Sequence, residues 1–413
     1  MTSREKQFRV AIRKFGPFEA AIVKAWERFA AQEGLDLELD AQALDLHPLE
    51  EALFTSGGLK NGAWDVAFIV TDWVAMAHQN GDLFDMAPLI AANPPEGYPH
   101  GWTDSLLRMQ TIGDAVIGLP YHDGPEVFIY RRDLFEDPIQ QAAFQAKHGK
   151  VLRLPETWDE FTEVAQFFTR PEEKLYGTVF AAFPDGHNTV YDFALQLWTR
   201  GSALYDSTGR IQIDTPAAER GLNFYRAILN DPTAIHPGAR EMDSVKSGFA
   251  FAHGEVAMMV NWFGFATMCQ TIEESRVKDN VMIGPIPHEA DSASASLNVY
   301  WILSIGAGSP HKELAYRFVR HCASAAMDKA LTLEGAIGCR KSTWADAQVN
   351  QVIPFYSALE TLHENARELP RLTNWTQIGA VIDELVLATI NTQDSVRDLL
   401  SRAQAKIDAI VGG

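Results

Sequence analysis

The stretch FRVAIRKFGPFEAAIVKAWERFAAQEGLDLEL, Phe8 to Leu39, decides the fold class. Phe8, Val10 and Ile12 alternate on one face, as a half-buried strand requires. Gly16-Pro17 then opens a helix whose Phe18, Ile22, Trp26 and Phe29 share one stripe, and Gly34 closes it. Proline in the first turn and glycine just past the end are the usual asymmetry of helix termini. Leu35, Leu37 and Leu39 alternate as a second strand, and Trp64 to Val70 is a continuous apolar run of the kind a buried parallel strand shows. Strand, helix and strand in this order predict an α/β sheet.

A chain of 413 residues is too long for one hydrophobic core, so at least two lobes are expected. Hydrophobic residues at 46% and charged residues at 22% are globular values that argue against disorder. The formal charge of −19 argues against nucleic acid or an anionic membrane as partner, and no segment is long and apolar enough to span a bilayer. Cys269, Cys322 and Cys339 are far apart and show no metal-ligand spacing, which leaves one bridge at most or three buried thiols.

Further along, DAVIGLPYHDGPEVFIY, Asp114 to Tyr130, reads as two strands broken at His122-Asp123-Gly124-Pro125. It is either a hairpin or a passage from one lobe to another, and the residues leave both open. Helix starts follow at Thr157 with Glu160 in capping-box spacing, at Thr215-Pro216 and at Ser309-Pro310. From Trp375 the tail holds two amphipathic helices, the second with Val396, Leu399, Leu400, Ala403, Ile407 and Ile410 on one face. In GFAFAHGEVAMMVNWFGFA, Gly248 to Ala266, an apolar strand from Val256 to Val260 ends on Asn261, Trp262 and Phe263. Two large aromatics at a strand end either plug a core or are offered to something outside it.

Enzyme motifs fail. Gly306-Ala307-Gly308 lacks the third glycine of a dinucleotide loop, and no phosphate loop, nucleophile elbow or HExxH is present. Asp36, Glu38 and Asp40 alternate with leucine as the wet face of a strand rather than as a calcium loop. The 12 histidines are scattered, and no two carboxylates stand in a context that suggests a raised pKa. No catalytic residue, metal ligand or cofactor is assigned.

In this order, GLPYHDGPEVFIYRRDLF (Gly118 to Phe135), LPETWDEF (Leu154 to Phe161), GFAFAHGEVAMMVNWF, YWILSIGAGSPHKELAYRFV (Tyr300 to Val319) and WTQIGAVIDELV from Trp375 carry a resemblance. The chain resembles the family 1 extracellular solute-binding proteins of bacterial ABC transporters, of the maltose-binding-protein type. The resemblance implies a two-lobed, periplasmic-binding-protein-like (type II) α/β fold, with hinge strands between discontinuous lobes and a sugar in the cleft, where hinge closure holds it. Crossings are expected near Asp123 to Glu126, near Val260 to Phe263 and near Cys322. That gives residues 1–123 and 264–322 to the first lobe, and 124–263 and 323–413 to the second.

Carried onto this sequence, the resemblance implies a ligand site at the ends of strands. Phe15 and Gly16 follow the first strand; Asp72 and Trp73 follow Val66 to Val70, where Asp72 either accepts sugar hydroxyls or caps the next helix. Tyr121, His122 and Asp123 lie at the first crossing, and Asn261, Trp262 and Phe263 at the second. Asn188 and Trp198 flank a helix before Arg200-Gly201, where the family more often has paired glycines. Asn298, Tyr300 and Trp301 begin a strand, and alternation puts one of Tyr300 and Trp301 in the core. Arg340 stands where the family often has a loop reaching the cleft, and Trp375 starts a tail helix that stacks on the ligand.

The implied function is that of a non-enzymatic carbohydrate receptor, binding a mono- or oligosaccharide or glycoside and delivering it to ABC permease subunits. The alternatives are a receptor for a cationic solute such as a polyamine, or a glycan-processing enzyme. Family members are exported, so a periplasmic location is expected with the signal peptide already removed; a cytoplasmic member is the alternative.

Overall fold

The structure, a computed structural model, describes residues 6–412. The first five residues and Gly413, with which the expected lobe bounds began and ended, lie outside the described residues. The chain divides into two compact units. Unit 1 runs to Gly124 and resumes over Val299–Glu364 and Leu369–Trp375. Unit 2 comprises Pro125–Asn298, Asn365–Glu368 and the chain from Thr376.

Unit 1 is built on a five-stranded sheet of β1 (Gln7–Arg13), β2 (Glu38–Leu44), β3 (Val66–Val70), β4 (Leu119–His122) and β8 (Trp301–Ile305), in the order β2-β1-β3-β8-β4. β1 pairs in parallel with β2 and β3, and β8 lies antiparallel between β3 and β4. Every residue of β3 is buried, as its unbroken apolar run predicts. Helix α1 (Gly16–Glu33) lays Phe18, Ile22, Trp26 and Phe29 on this sheet and stops at Gly34, whose φ of 64° is the left-handed conformation that glycine adopts without cost. The rings of Phe8 and Trp26 stack at 4.7 Å. The second strand starts at Glu38, beyond the alternation at Leu35 and Leu37, because only from there does it pair with β1.

Unit 2 has a three-stranded antiparallel sheet with β5 (Glu126–Arg131) between β6 (Met258–Trp262) and β7 (Val281–Gly284). Around it pack α2 (Trp158–Phe168), α3 (Asn188–Trp198), α4 (Pro216–Leu229), α5 (Ser244–Ala252) and α6 (Phe263–Thr271). Thr157 and Glu160 form the reciprocal capping box of α2. Thr215 caps α4 by accepting the Ala218 N–H at 3.2 Å.

The Gly-Pro passage is a crossing: β4 and β5 belong to different sheets, and the units part between Gly124 and Pro125. The two later crossings fall elsewhere than expected. α6 starts directly after β6 and packs on α5 so closely that a Cβ on Gly248 would meet the Phe265 ring at 2.4 Å. Residues 264–298 therefore stay in unit 2, and the chain leaves at Asn298. Past Cys322, α8 (Ala325–Leu333), which follows α7 (Lys312–Cys322), packs on α1, and Lys24 pairs with Glu334. Residues 323–364 accordingly belong to unit 1. Tail helices α9 (Trp375–Asn391) and α10 (Val396–Gly412) follow, with Arg226 of α4 donating to the Thr389 carbonyl at 2.6 Å and Gln404 to that of Ile211 at 3.0 Å. All three cysteines are buried free thiols.

Ser309 and Pro310 do not cap a helix. α7 starts at Lys312, and the Ser309 hydroxyl donates to buried Asp65 at 2.6 Å while accepting the His311 N–H at 3.0 Å. The neighbouring glycines have a packing reason: a Cβ on Gly308 would lie 1.9 Å from the Lys60 carbonyl oxygen. Backbone cannot yield there as a flexible side chain would. Gly308→Ala should cost several kcal/mol, within the range of severe core lesions, whereas Thr157→Ala should cost about 1 kcal/mol for its lost cap. Urea unfolding of both variants checks the order, and equal losses would contradict it.

Candidate functional site

Because β8 is antiparallel to both β3 and β4, those two run the same way as β1. The carboxyl ends of β1, β3 and β4 and the amino end of β8 thus share one edge of the unit 1 sheet, the edge at which α/β sheets take ligands. Trp301 sits opposite Val70 on one side and His122 on the other. Its half-buried ring meets Trp73 edge-on at 6.1 Å and lies 6.3 Å from Phe68. Half-buried Phe15 packs edge-on against Phe18 at 5.1 Å, and Phe18 against the His122 ring at 4.6 Å. Exposed Gly16 has open space where a Cβ would be. Asp72 lies half-buried in the 3-10 turn Thr71–Trp73, between β3 and the helix Val74–Gln79. This edge unites Phe15, Gly16, Asp72, His122 and Trp301.

His122 is the polar centre of this edge. Its Nδ1 accepts the Ile337 N–H at 2.9 Å, so the ring proton sits on Nε2, the remaining donor. Burial lowers its pKa to about 3, which keeps the imidazole neutral at physiological pH.

Other expected residues of unit 1 serve its interior instead. Tyr121 is buried and packs on Phe68 at 5.0 Å; burial raises its phenol well above the ordinary range. Tyr300 is the inward member of its pair, its hydroxyl donating to Gln110 Oε1 at 2.7 Å. Trp73 is buried between Phe54 and Trp301, where it braces the outer ring. The Arg340 guanidinium stacks on Trp102 at 4.5 Å and donates to the Ala323 carbonyl at 2.9 Å. Buried and committed within unit 1, it does not have the outward reach expected of it. Trp375 is buried at the last residue of its unit 1 segment. Asp123 is buried as well; its Oδ2 accepts the His363 Nε2–H at 2.6 Å, and His363 Nδ1 lies 3.0 Å from the Ser105 hydroxyl.

In unit 2, β6 extends through Trp262, which faces Glu126 across the ladder. Asn261 spends its amide on the Ser244 carbonyl and Ser247 hydroxyl, both at 3.1 Å, tying β6 to α5. Phe263 is fully buried at the start of α6 and plugs the core. Of the three, only Trp262 keeps a half-buried ring, held edge-on to Tyr191 at 5.5 Å. Asn188 is buried and tied by backbone and side chain to Asp185. Trp198 is buried beneath the Arg367 guanidinium at 5.9 Å, so that face is taken. Asn298 is buried too, its N–H donating to the Arg367 carbonyl at 2.8 Å.

Beside Trp262 lies a group that sequence reasoning missed. Glu126 on β5 and Asp192 on α3 are buried near one another, and Asp192 accepts the Tyr225 hydroxyl at 2.5 Å. Burial first, then the neighbouring negative charge, raises Glu126 well above the carboxylate range; burial takes Asp192 up to about 7. The signals were an acid opening the apolar strand EVFIY and a lone acid inside NTVYDFALQLW.

Among the described residues, no helix is long and apolar enough to cross a membrane and no acidic, histidine or cysteine cluster could hold a metal ion. The profile of the bacterial extracellular solute-binding proteins matches residues 16–329, and the chain belongs to that family. A Deinococcus radiodurans protein named a probable ABC transporter-binding protein is 22% identical over 367 residues, 86% of this chain and 82% of its own. Among solved structures, maltose-bound MalE3 of T. maritima superposes with a TM-score of 0.84 at 22% identity, covering 98% of this chain and 99% of its own. A solute-binding protein of Agrobacterium radiobacter K84 in complex with ribitol gives 0.85 at 22%, over 98% of both chains. The fold is that of these solute-binding proteins.

The two shifted groups affect stability with opposite sign. An unfolded histidine takes its proton near pH 6.5, while native His122 resists until about 3, so its contribution is present above pH 6.5 and lost as pH falls. Native Asp192 keeps its proton to about 7, so its contribution is full below the unfolded value near 4 and lost as pH rises through 7. Relative to the wild type, His122→Gln should therefore gain stability as pH falls from 6.5 to 4, and Asp192→Asn as it rises from 4 to 8. Urea midpoints at pH 4, 6 and 8 read both; parallel curves would contradict the assignments.

Proposed function

We propose that this chain is the substrate-binding component of an ABC transporter, taking a carbohydrate at the strand ends described above and handing it to the membrane permease subunits from the periplasmic side. One observation carries the reading: in each unit the half-buried aromatic at a strand end, Trp301 or Trp262, is braced edge-on by a buried aromatic, Trp73 or Tyr191. An indole held that way offers an apolar face to the C–H face of a sugar ring. Beside Trp301, the neutral His122 donor and the Asp72 carboxylate suit hydroxyls, which donate and accept at once. The solved relatives named above hold maltose and ribitol, and another from Agrobacterium vitis S4 holds D-mannitol, so polyhydroxylated solutes recur on this fold.

The protein acts by binding and not by turnover. Ser105, His363 and Asp123 form a hydrogen-bonded chain, but His363 is buried with its ring stacked on Trp344 at 5.1 Å. Such a histidine holds a carboxylate in place; it has no access to a substrate. A micromolar affinity requires about −8 kcal/mol, within reach of a ring contact and several satisfied hydroxyls.

Calorimetric titration with maltose, tagatose, ribitol and mannitol tests this. Trp301→Ala or Trp262→Ala should weaken the best ligand by at least tenfold, with far-UV spectra unchanged. Wild-type affinity in both variants would remove the strand ends from the site.

A further inference from the structure

The acids beside Trp262 lack the counter-charge that buried carboxylates need. Glu126, Asp185 and Asp192 are 4%, 6% and 7% exposed. Among the described residues no arginine or lysine pairs with any of them or with half-buried Asp383, whose Oδ1 accepts the Thr189 hydroxyl. Asp185 is occupied by the N–H groups of His187 and Asn188, both at 2.9 Å, and Asp192 by Tyr225. Glu126 is different: its Oε2 is buried with no hydrogen-bond partner among the described residues. Directly opposite residues of an antiparallel pair point to the same face, so Glu126 and Trp262 share one. The site thus combines an indole with an unsatisfied carboxylate and a second carboxylate behind it. Buried charge of one sign is costly unless it is protonated or met by a cation, and an aromatic face favours a cation as well.

We propose that the solute carries a positively charged amino group, received by Glu126 with Asp192 behind it, so that this chain prefers an amine-bearing sugar over its neutral counterpart. This rests on the carbohydrate reading and narrows it. Without solute the pair is neutralised by protons; an ammonium group takes the place of one of them, so binding releases a proton to the solvent. Affinity for the amine-bearing solute then rises with pH towards about 7, where Asp192 titrates, and affinity for a neutral sugar does not follow it. The groups facing the pair are Tyr225 of α4 and Asp185 ahead of α3; Asp383 of α9 adjoins Asp185, and His187 beside Asp383 is the group among these able to add positive charge.

The test is calorimetry on the full chain with glucosamine and its β-1,4 dimer against glucose and cellobiose, with spermidine as a cation lacking a sugar ring. Each titration is run in two buffers of different ionisation enthalpy, which counts the protons released. The expected result is at least tenfold tighter binding of the amine-bearing sugar with net proton release, the preference collapsing towards one in Glu126→Gln. Equal binding of amine and neutral sugars, or release of no proton by the wild type, overturns the inference and leaves the carbohydrate reading standing. Binding of spermidine alone sinks the carbohydrate reading and keeps the cation site. Silence across all five probes overturns both. The proton count on the wild type keeps the proposal falsifiable should Glu126→Gln fail to fold.

Discussion

The register in which the strands pair is the constraint on which the site depends. Just ahead of β8, Tyr300 turns inward to Gln110 while Trp301, the first residue of β8, stays at the edge; in β4, Tyr121 packs on Phe68 where the ladder register shifts, and His122 lies beside Trp301. In unit 2 the register of β5 on β6 sets Glu126 against Trp262. A slip of one residue in either ladder would exchange every inner and outer side chain and dissolve both groupings. The inward residues are therefore as necessary to binding as the outward ones, because they hold the register.

The polar groups of the two units are prepared differently. In unit 1, His122 is fixed as a neutral donor by a backbone N–H on one ring nitrogen and by a desolvating environment. Asp123 is held by His363, which is itself stacked on Trp344. In unit 2, carboxylates are buried without a cation, and their charge is suppressed until something replaces the proton. One unit thus offers a neutral donor, and the other offers an acceptor whose charge is conditional. On the proposal of an amine-bearing solute, discrimination between solutes of similar shape but different charge resides in the second.

Much of this was legible in the sequence where the signal is local. Gly34, Thr157 with Glu160, and Thr215 mark helix ends because the cap uses residues within four positions of one another. The Gly-Pro break at 124–125 marks the passage between sheets for the same reason. The later crossings were misplaced because they depend on long-range packing: α6 stays with α5, and α8 stays with α1. Asn261, Arg340 and Trp198 have the composition of binding residues, but their partners, Ser247, Trp102 and Arg367, are distant in sequence or carry no motif. Glu126 was overlooked because an acid at the head of an apolar strand reads as a solvated terminus until Asp192 is placed next to it.

Hydrogen–deuterium exchange on the full chain, with and without the sugar that binds best, reads the central claim most directly. Bound solute should slow exchange at residues 70–73, 119–123 and 300–302 of unit 1, or at 126–128, 187–192 and 259–263 of unit 2. Protection confined to other surfaces, such as α7 or α10, with these strand ends unchanged, would contradict the account.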